Sequence, residues 1–236
     1  MNTGTLYVLP NFLGENKDAA LMPASVAGII RSVRHFAVEE IRSARQLIAR
    51  LDKSIDINSL IFYSLSEHTS ATETGTLLQP LTEGFDMGII SEAGCAAVAD
   101  PGAALIRLAQ EKGIKVVPVS GPSSILLALM ASGLNGQSFS FEGYLPKERN
   151  ARIQKIRELD NTARKTGQTK IFIETPYRNN HLFEDLLANC QPGTLLCIAS
   201  NIQQADESVR TMTITAWKKN QPDLDKTPTV FLVGPA

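Results

Sequence analysis

The stretch from Asp86 to Ser124 limits what this chain can fold into more than any other part of it. Met87-Gly88-Ile89-Ile90 is an apolar run too short for a helix, and it stops at the small-residue turn Ser91-Glu92-Ala93-Gly94. That is the pattern of a buried strand delivering a loop. A second run, Val116-Val117-Pro118-Val119, stops at Ser120-Gly121-Pro122-Ser123-Ser124. Between the two, Asp100-Pro101-Gly102 opens an apolar helical segment, 103–109, with Pro expected at the first helical position and Gly113 past the end. Strand, turn and helix taken twice in succession is the crossover grammar of a parallel sheet. Ligands of open sheets bind beyond the carboxyl ends of strands, where both turns are expected. Gly, Ala and Ser let a flat ligand approach the backbone, and N–H groups at the helix start after Gly121-Pro122 can receive a carboxylate or phosphate. One such turn reads as a tight connection; two in succession point to a ligand.

The chain has 236 residues, enough for one large or two small domains with a real core. Its 43% hydrophobic and 20% charged residues exclude global disorder. With 23 Lys and Arg against 24 Asp and Glu the formal net charge is −1, so any contact with RNA must be local rather than a general grip on phosphates. No apolar stretch reaches membrane-spanning length, and Met1-Asn2-Thr3-Gly4 leads into a strand without a basic or signal-like segment, so a cytoplasmic location is expected. Cys95, Cys190 and Cys197 lack paired metal spacing and His35, His68 and His181 are scattered, so neither a disulfide framework nor a metal site is indicated.

Taken in order, strands are expected at 5–10, 36–38 and 60–64, with helices at 24–31, 41–51 and 76–81. The polar stretch 66–74 reads as a loop and helix start. After the central unit, the run Ser132-Gly133-Leu134-Asn135-Gly136-Gln137 breaks the alternation of strand and helix, and the domain boundary is placed there. This gives an N-terminal domain over 1–134 and a C-terminal domain over 137–236. The second half predicts strands at 139–144, 170–173, 195–199, 209–217 and 230–233, and helices at 146–165 and 180–190. Consecutive strands without intervening helices require antiparallel pairing, so its sheet is expected to be mixed. The fold class is α/β: a mostly parallel sheet with flanking helices, then a mixed sheet with helices.

Several motifs in order resemble one family. Ser91-Glu92-Ala93-Gly94 with Asp100-Pro101-Gly102, then 117–122, Phe141-Glu142-Gly143-Tyr144-Leu145-Pro146 and Glu174-Thr175-Pro176-Tyr177-Arg178 are similar to the tetrapyrrole methylase superfamily of S-adenosylmethionine-dependent methyltransferases. Within it the chain most resembles bacterial enzymes that methylate a ribose 2′-hydroxyl of a small-subunit rRNA cytidine, from Gly4 to Gly234. The resemblance implies two α/β domains with S-adenosylmethionine bent in the cleft between them, and a homodimer. By position, the cofactor would meet Pro10, Ser91, Glu92, Ala93, Gly94, Ser123 and Ser124 in the first domain. In the second it would meet Glu174, Asn201, Ile202, Thr227 and Pro228. No Gly-x-Gly-x-x-Gly is present, which argues against a dinucleotide site.

The departures from the family are local. Pro10-Asn11-Phe12-Leu13-Gly14-Glu15-Asn16 stands where those enzymes usually have Thr-Pro-Ile-Gly-Asn-Leu, and Glu39-Glu40-Ile41-Arg42 where they have Glu-Asp-Thr-Arg. Ser200-Asn201-Ile202-Gln203-Gln204 replaces Arg-Glu-Leu-Thr-Lys, removing two cations that could meet phosphate.

Methyl transfer from a sulfonium is an in-line displacement, accelerated mainly by holding acceptor and methyl in attack geometry. A ribose hydroxyl is a weak nucleophile that gains from a base or a nearby cation. The candidate catalytic residues are Glu39, Glu40, Arg42 and Arg178, with Glu174 beside them; Glu40 could equally cap the helix that follows it. Lys147, Arg149, Arg152 and Lys155, with Arg157, form a basic helical cluster that is either a solvated face or a contact for RNA. The competing readings are a methyltransferase acting on a tetrapyrrole or other small molecule, and a non-catalytic relative that binds S-adenosylmethionine or RNA.

Overall fold

The computed structural model describes residues 3–235; Met1 and Asn2 of the leading stretch lie outside the described residues. It divides into two compact units, 1–123 and 124–236.

In the first unit β1 (Thr5–Asn11) leads through a 3-10 turn at Ala19–Leu21 into α1 (Ala24–Ser32), β2 (His35–Val38) and α2 (Ile41–Leu51). A second 3-10 turn at Ile57–Ser59 precedes β3 (Ile61–Ser64), α3 (Ala71–Leu77) and the short α4 (Gln79–Thr82). Then follow β4 (Met87–Ile90), the two-residue β5 (Gly94–Cys95), α5 (Ala103–Glu111) and β6 (Lys115–Pro118). The strands pair in parallel in the order β3-β2-β4-β1, with β6 on the other side of β1; β5 alone runs antiparallel, across the end of β1.

Both faces of this sheet are covered. Val26, Ile30, Leu47 and Ile48 of α1 and α2 pack with Leu9, Phe36, Val38 and Ile90 on one face. Leu77, Leu81, Leu105 and Ala109 pack with Leu6, Ala37, Met87 and Ile89 on the other. Adjacent strands β1 and β4 therefore send their chains to opposite faces, the arrangement that opens a crevice at their carboxyl ends. Every residue of β4 is buried, which is why its sequence is an unbroken apolar run rather than an alternation.

The second unit begins with α6 (Ser124–Ser132), then β7 (Phe139–Tyr144), α7 (Arg149–Thr166) and β8 (Thr169–Ile173). After a 3-10 turn at Pro176–Arg178 come α8 (Asn179–Asn189), β9 (Leu195–Ser200), β10 (Ser208–Thr213), the short α9 (Ile214–Trp217) and β11 (Thr229–Gly234). Its five strands run in the order β10-β9-β11-β8-β7, antiparallel except for β7 with β8. Phe172, Phe231, Leu196 and Trp217 lie in its core with Leu159, Phe183 and Leu186 of the helices.

Four expectations are corrected. The division between units falls before α6 rather than after it, because α6 packs on β9, β10 and β11. Pro101 does not open α5: Gly102, at φ +132°, is the residue before the helix, and Ala103 starts it. The alternating run 209–217 is not one strand. Thr213 ends β10 and its hydroxyl accepts from the N–H of Ala216, turning the chain into α9 and burying Trp217, whose Nε1 donates to the Leu196 carbonyl at 2.7 Å. The basic helix starts at Arg149, not Pro146, because the Glu148 carboxylate caps it by accepting from Ala151 N–H.

Candidate functional site

At the carboxyl end of β1 the structure brings together the two small-residue turns of the first unit. Gly94 and Cys95 pair with Asn11 and Pro10, so the first turn folds back across the end of the strand. The second turn reaches the same point: a Cβ on Gly121 would lie 2.1 Å from Pro10 Cβ, and the Cys95 thiol donates to the Pro122 carbonyl at 3.3 Å. Gly94 sits at φ +69° with Leu13 beside it, a conformation that suits glycine. Ala93 is exposed at the tip.

The first turn is fixed from three sides. The Asn11 side-chain amide, buried, donates to the carbonyls of Ser91 at 3.0 Å and Glu92 at 2.8 Å and to Ser43 Oγ at 2.9 Å. Ser43 Oγ donates to the same Glu92 carbonyl at 3.0 Å. Glu39 Oε2 accepts from the Glu92 N–H at 3.0 Å. The two Glu40 oxygens accept from Arg42 N–H at 2.9 Å and Ser43 N–H at 2.5 Å, and these backbone bonds, Arg42's first, hold its carboxyl below the usual range. Of the catalytic candidates on this unit, then, Glu39 anchors the turn and Glu40 caps α2, while Arg42 is exposed on the first turn of that helix. Asn11, Ser43 and Asp100 were not among the sequence candidates; nothing in composition or spacing marks a single Asn or Ser as a clamp.

Asp100 faces Glu39, Glu92 and Glu67, and burial, reinforced by those carboxylates against a Ser91 hydroxyl that favours ionisation, pushes its pKa to about 6 from 3.8. Ionised Asp100 is therefore disfavoured in the folded protein. The penalty is absent below pH 3.8, grows through the interval to about 6 and is complete above it. Asp100→Asn should stabilise the protein above pH 6 by about 1 kcal/mol once solvent screening is allowed for, and change nothing below pH 4. Denaturant midpoints of variant and wild type at both pH values check this; an equal difference at the two would refute it.

On the second unit the candidates lie along one end of its sheet, where β8 and β9 finish and β11 begins. Glu174 is buried; its Oε1 accepts from Thr175 N–H at 2.8 Å, and its Oε2 pairs with Arg178 Nη2 at 3.1 Å. The Thr227 carbonyl accepts from Asn179 Nδ2 at 2.7 Å, and the Pro228 carbonyl from Asn201 N–H at 2.9 Å. Asn201 and Gln203 adopt left-handed φ values of +49° and +64°, in a turn closed by Asn201 to Asp206 and by Gln203 N–H to Glu207; Ile202 between them is buried. Ser123 ends the first unit and Ser124 opens α6.

The basic cluster at and before the start of α7 separates by burial and pairing. Arg152, buried, donates to Asp185 at 2.7 and 2.9 Å and to the Lys147 carbonyl at 3.0 Å, which makes it part of the core rather than a substrate contact. Lys155 pairs with Glu158 at 3.1 Å and Glu142 at 3.6 Å. Arg149 also bonds Asp185, at 3.1 Å, but its side chain is 71% exposed, and Lys147 is exposed too.

The fold, a doubly wound parallel unit followed by a mixed-sheet unit, is shared with solved methyltransferases. Uroporphyrin-III C-methyltransferase from Thermus thermophilus, solved in complex with S-adenosylhomocysteine, superposes with a TM-score of 0.61 over 98% of this chain and 97% of its own, at 14% identity. The chain belongs to the ribosomal RNA small subunit methyltransferase I family. It is 32% identical over 206 residues to the member from Xylella fastidiosa, covering 87% of this chain and 71% of that one. To the member from Vibrio cholerae it is 29% identical over 231 residues, 97% of this chain and 76% of the relative. No protein-family model matches the chain. No helix among the described residues is long and apolar enough to cross a membrane.

Proposed function

We propose that the protein is an S-adenosylmethionine-dependent methyltransferase whose acceptor is a ribose 2′-hydroxyl of small-subunit ribosomal RNA. The observation that carries this reading is the match to rRNA small-subunit methyltransferases along 97% of the chain. Two features of the first unit support this cofactor: the second turn lies against Pro10 so closely that it has no room for a Cβ at Gly121, and the first turn carries the small side chain of Ala93 exposed at its tip. Small groups there suit an adenine face, and turn backbone suits ribose and amino-acid groups. The cofactor, when bound, supplies an electrophilic methyl on a sulfonium.

The chain's own residues orient and exclude. Pro10, Ser91, Ala93, Gly94 and Ser123 form the contact set on the first unit, with Glu92 held by its backbone; Glu174, Asn201, Ile202, Thr227 and Pro228 are the set on the second, with Ser124. Glu174 keeps Arg178 aimed by a 3.1 Å ion pair, which suits a cation that positions or polarises the acceptor. Lys147 and Arg149, exposed, are the side chains on that segment offered to phosphate, with Lys155 held between two carboxylates. A cytoplasmic homodimer is the assembly and setting that accompany this reading.

Mass mapping of rRNA ribose methyl groups with and without the protein tests it, together with transfer from labelled cofactor to small ribosomal subunits. Ala93→Leu, an exposed change that disturbs no core contact, should abolish binding of S-adenosylhomocysteine in calorimetry while the melting temperature stays put. Unchanged rRNA and no transfer to any RNA would reject the acceptor; normal binding by the variant would reject the turn.

A further inference from the structure

The ligand turn does not hold itself. In the peptide run Ser91-Glu92, both carbonyls and the Glu92 N–H are bonded by side chains from other segments: Asn11 at the end of β1, Ser43 in the first turn of α2, and Glu39 at the end of β2. Asn11 is the centre of this arrangement. Its two amide hydrogens are shared among three acceptors within 3.0 Å, while its Oδ1 accepts from the Phe12 N–H at 2.8 Å, so the buried side chain is satisfied on both ends. Glu40 in turn orients Ser43 through the Ser43 N–H. Fixing two carbonyls inward on one side leaves the Ala93 tip on the other, outside the network and exposed.

We propose that Asn11 and Ser43 are positioning residues that pre-form the Ser91–Gly94 turn for its ligand, acting through the carbonyls of Ser91 and Glu92 rather than by touching the ligand. Without them the turn would order only on binding, and that ordering cost would appear as lost affinity. Glu39 shares the task through the Glu92 N–H. The identity of the ligand rests on the methyl-transfer reading; the clamp itself does not.

Asn11→Asp tests this with almost no change of shape, because it replaces the donating amide with an oxygen that faces two carbonyls. In the free protein, hydrogen exchange at the Glu92 amide should rise, since the turn is released from one side. The dissociation constant for S-adenosylhomocysteine should rise about 10-fold or more, the equivalent of one lost hydrogen bond between strong partners. KM for the cofactor should rise while kcat at saturation stays within about 2-fold, the signature of lost positioning rather than lost chemistry. Ser43→Ala should give a smaller effect of the same kind and Ser43→Thr should restore it, which keeps the test available should Asn11→Asp not fold. A folded Asn11→Asp with wild-type exchange and wild-type affinity overturns the proposal, as does a Ser43→Thr no better than Ser43→Ala. A wild-type protein that fails to bind S-adenosylhomocysteine overturns the methyl-transfer reading instead, and Glu92 exchange in the variants still decides the clamp.

Discussion

Gly121→Ala is expected to remove cofactor binding, by 100-fold or about 3 kcal/mol. The added Cβ would lie 2.1 Å from Pro10 Cβ and 2.3 Å from its Cγ, far inside van der Waals contact. A flexible side chain could swing away; the ring of Pro10 cannot, because its backbone is paired in β1 with Cys95 of the first turn. The second turn must therefore move off the end of the strand, taking with it the Pro122 carbonyl that receives the Cys95 thiol. The two turns then no longer share one floor. The second unit, whose core contains none of these residues, should keep its structure. Calorimetry with S-adenosylhomocysteine and a hydrogen-exchange map of residues 124–235 check both halves. Gly133→Ala, at a glycine with φ +70° and open space around it, serves as the control: its strain is local and should leave binding intact.

Arg152→Ala should destabilise the second unit by about 3 kcal/mol, roughly 10 °C in melting temperature, whereas Arg149→Ala should cost under about 1 kcal/mol. Both guanidinium groups meet Asp185, yet their surroundings differ. Arg152 is 7% exposed and Asp185 2%, so removing Arg152 leaves a buried carboxylate with one largely solvated partner and frees the Lys147 carbonyl as well. Arg149 is mostly in water, where its ion pair is screened. Thermal melts of the two variants measure the contrast, and equal losses would contradict it. On the RNA side the order reverses: Arg149→Ala should weaken RNA binding and flatten its salt dependence, because an exposed cation can release a counterion and a buried, paired one cannot.

The sequence alone determined the backbone plan and the place of the two small-residue turns. Helix α2 and strands β4 and β7 fall where the sequence puts them, because each has a local cause: a capping carboxylate at Glu40, an unbroken apolar run bounded by a small-residue turn, an alternation closed by Leu145-Pro146. Parallel pairing in the first unit and mixed pairing in the second follow from the order of strands and helices, and the family follows from motifs that keep their order. What the sequence could not decide is how polar side chains are shared. Whether Arg152 faces phosphate or Asp185 depends on α8, which packs on α7 from 33 residues away in the chain, and no local pattern carries that information. The same holds for Trp217, drawn from an expected strand into the core by a bend at Thr213, and for α6, whose membership is set by the strands it lies on. Asn11, Ser43, Glu39 and the Ser91-Glu92 turn come from the ends of β1, β2 and β4 and the start of α2, distant in sequence and adjacent because β4 pairs with both β1 and β2. Hydrogen bonds of this kind are fixed by long-range strand order, so only the tertiary structure could show which residues hold the turn in place.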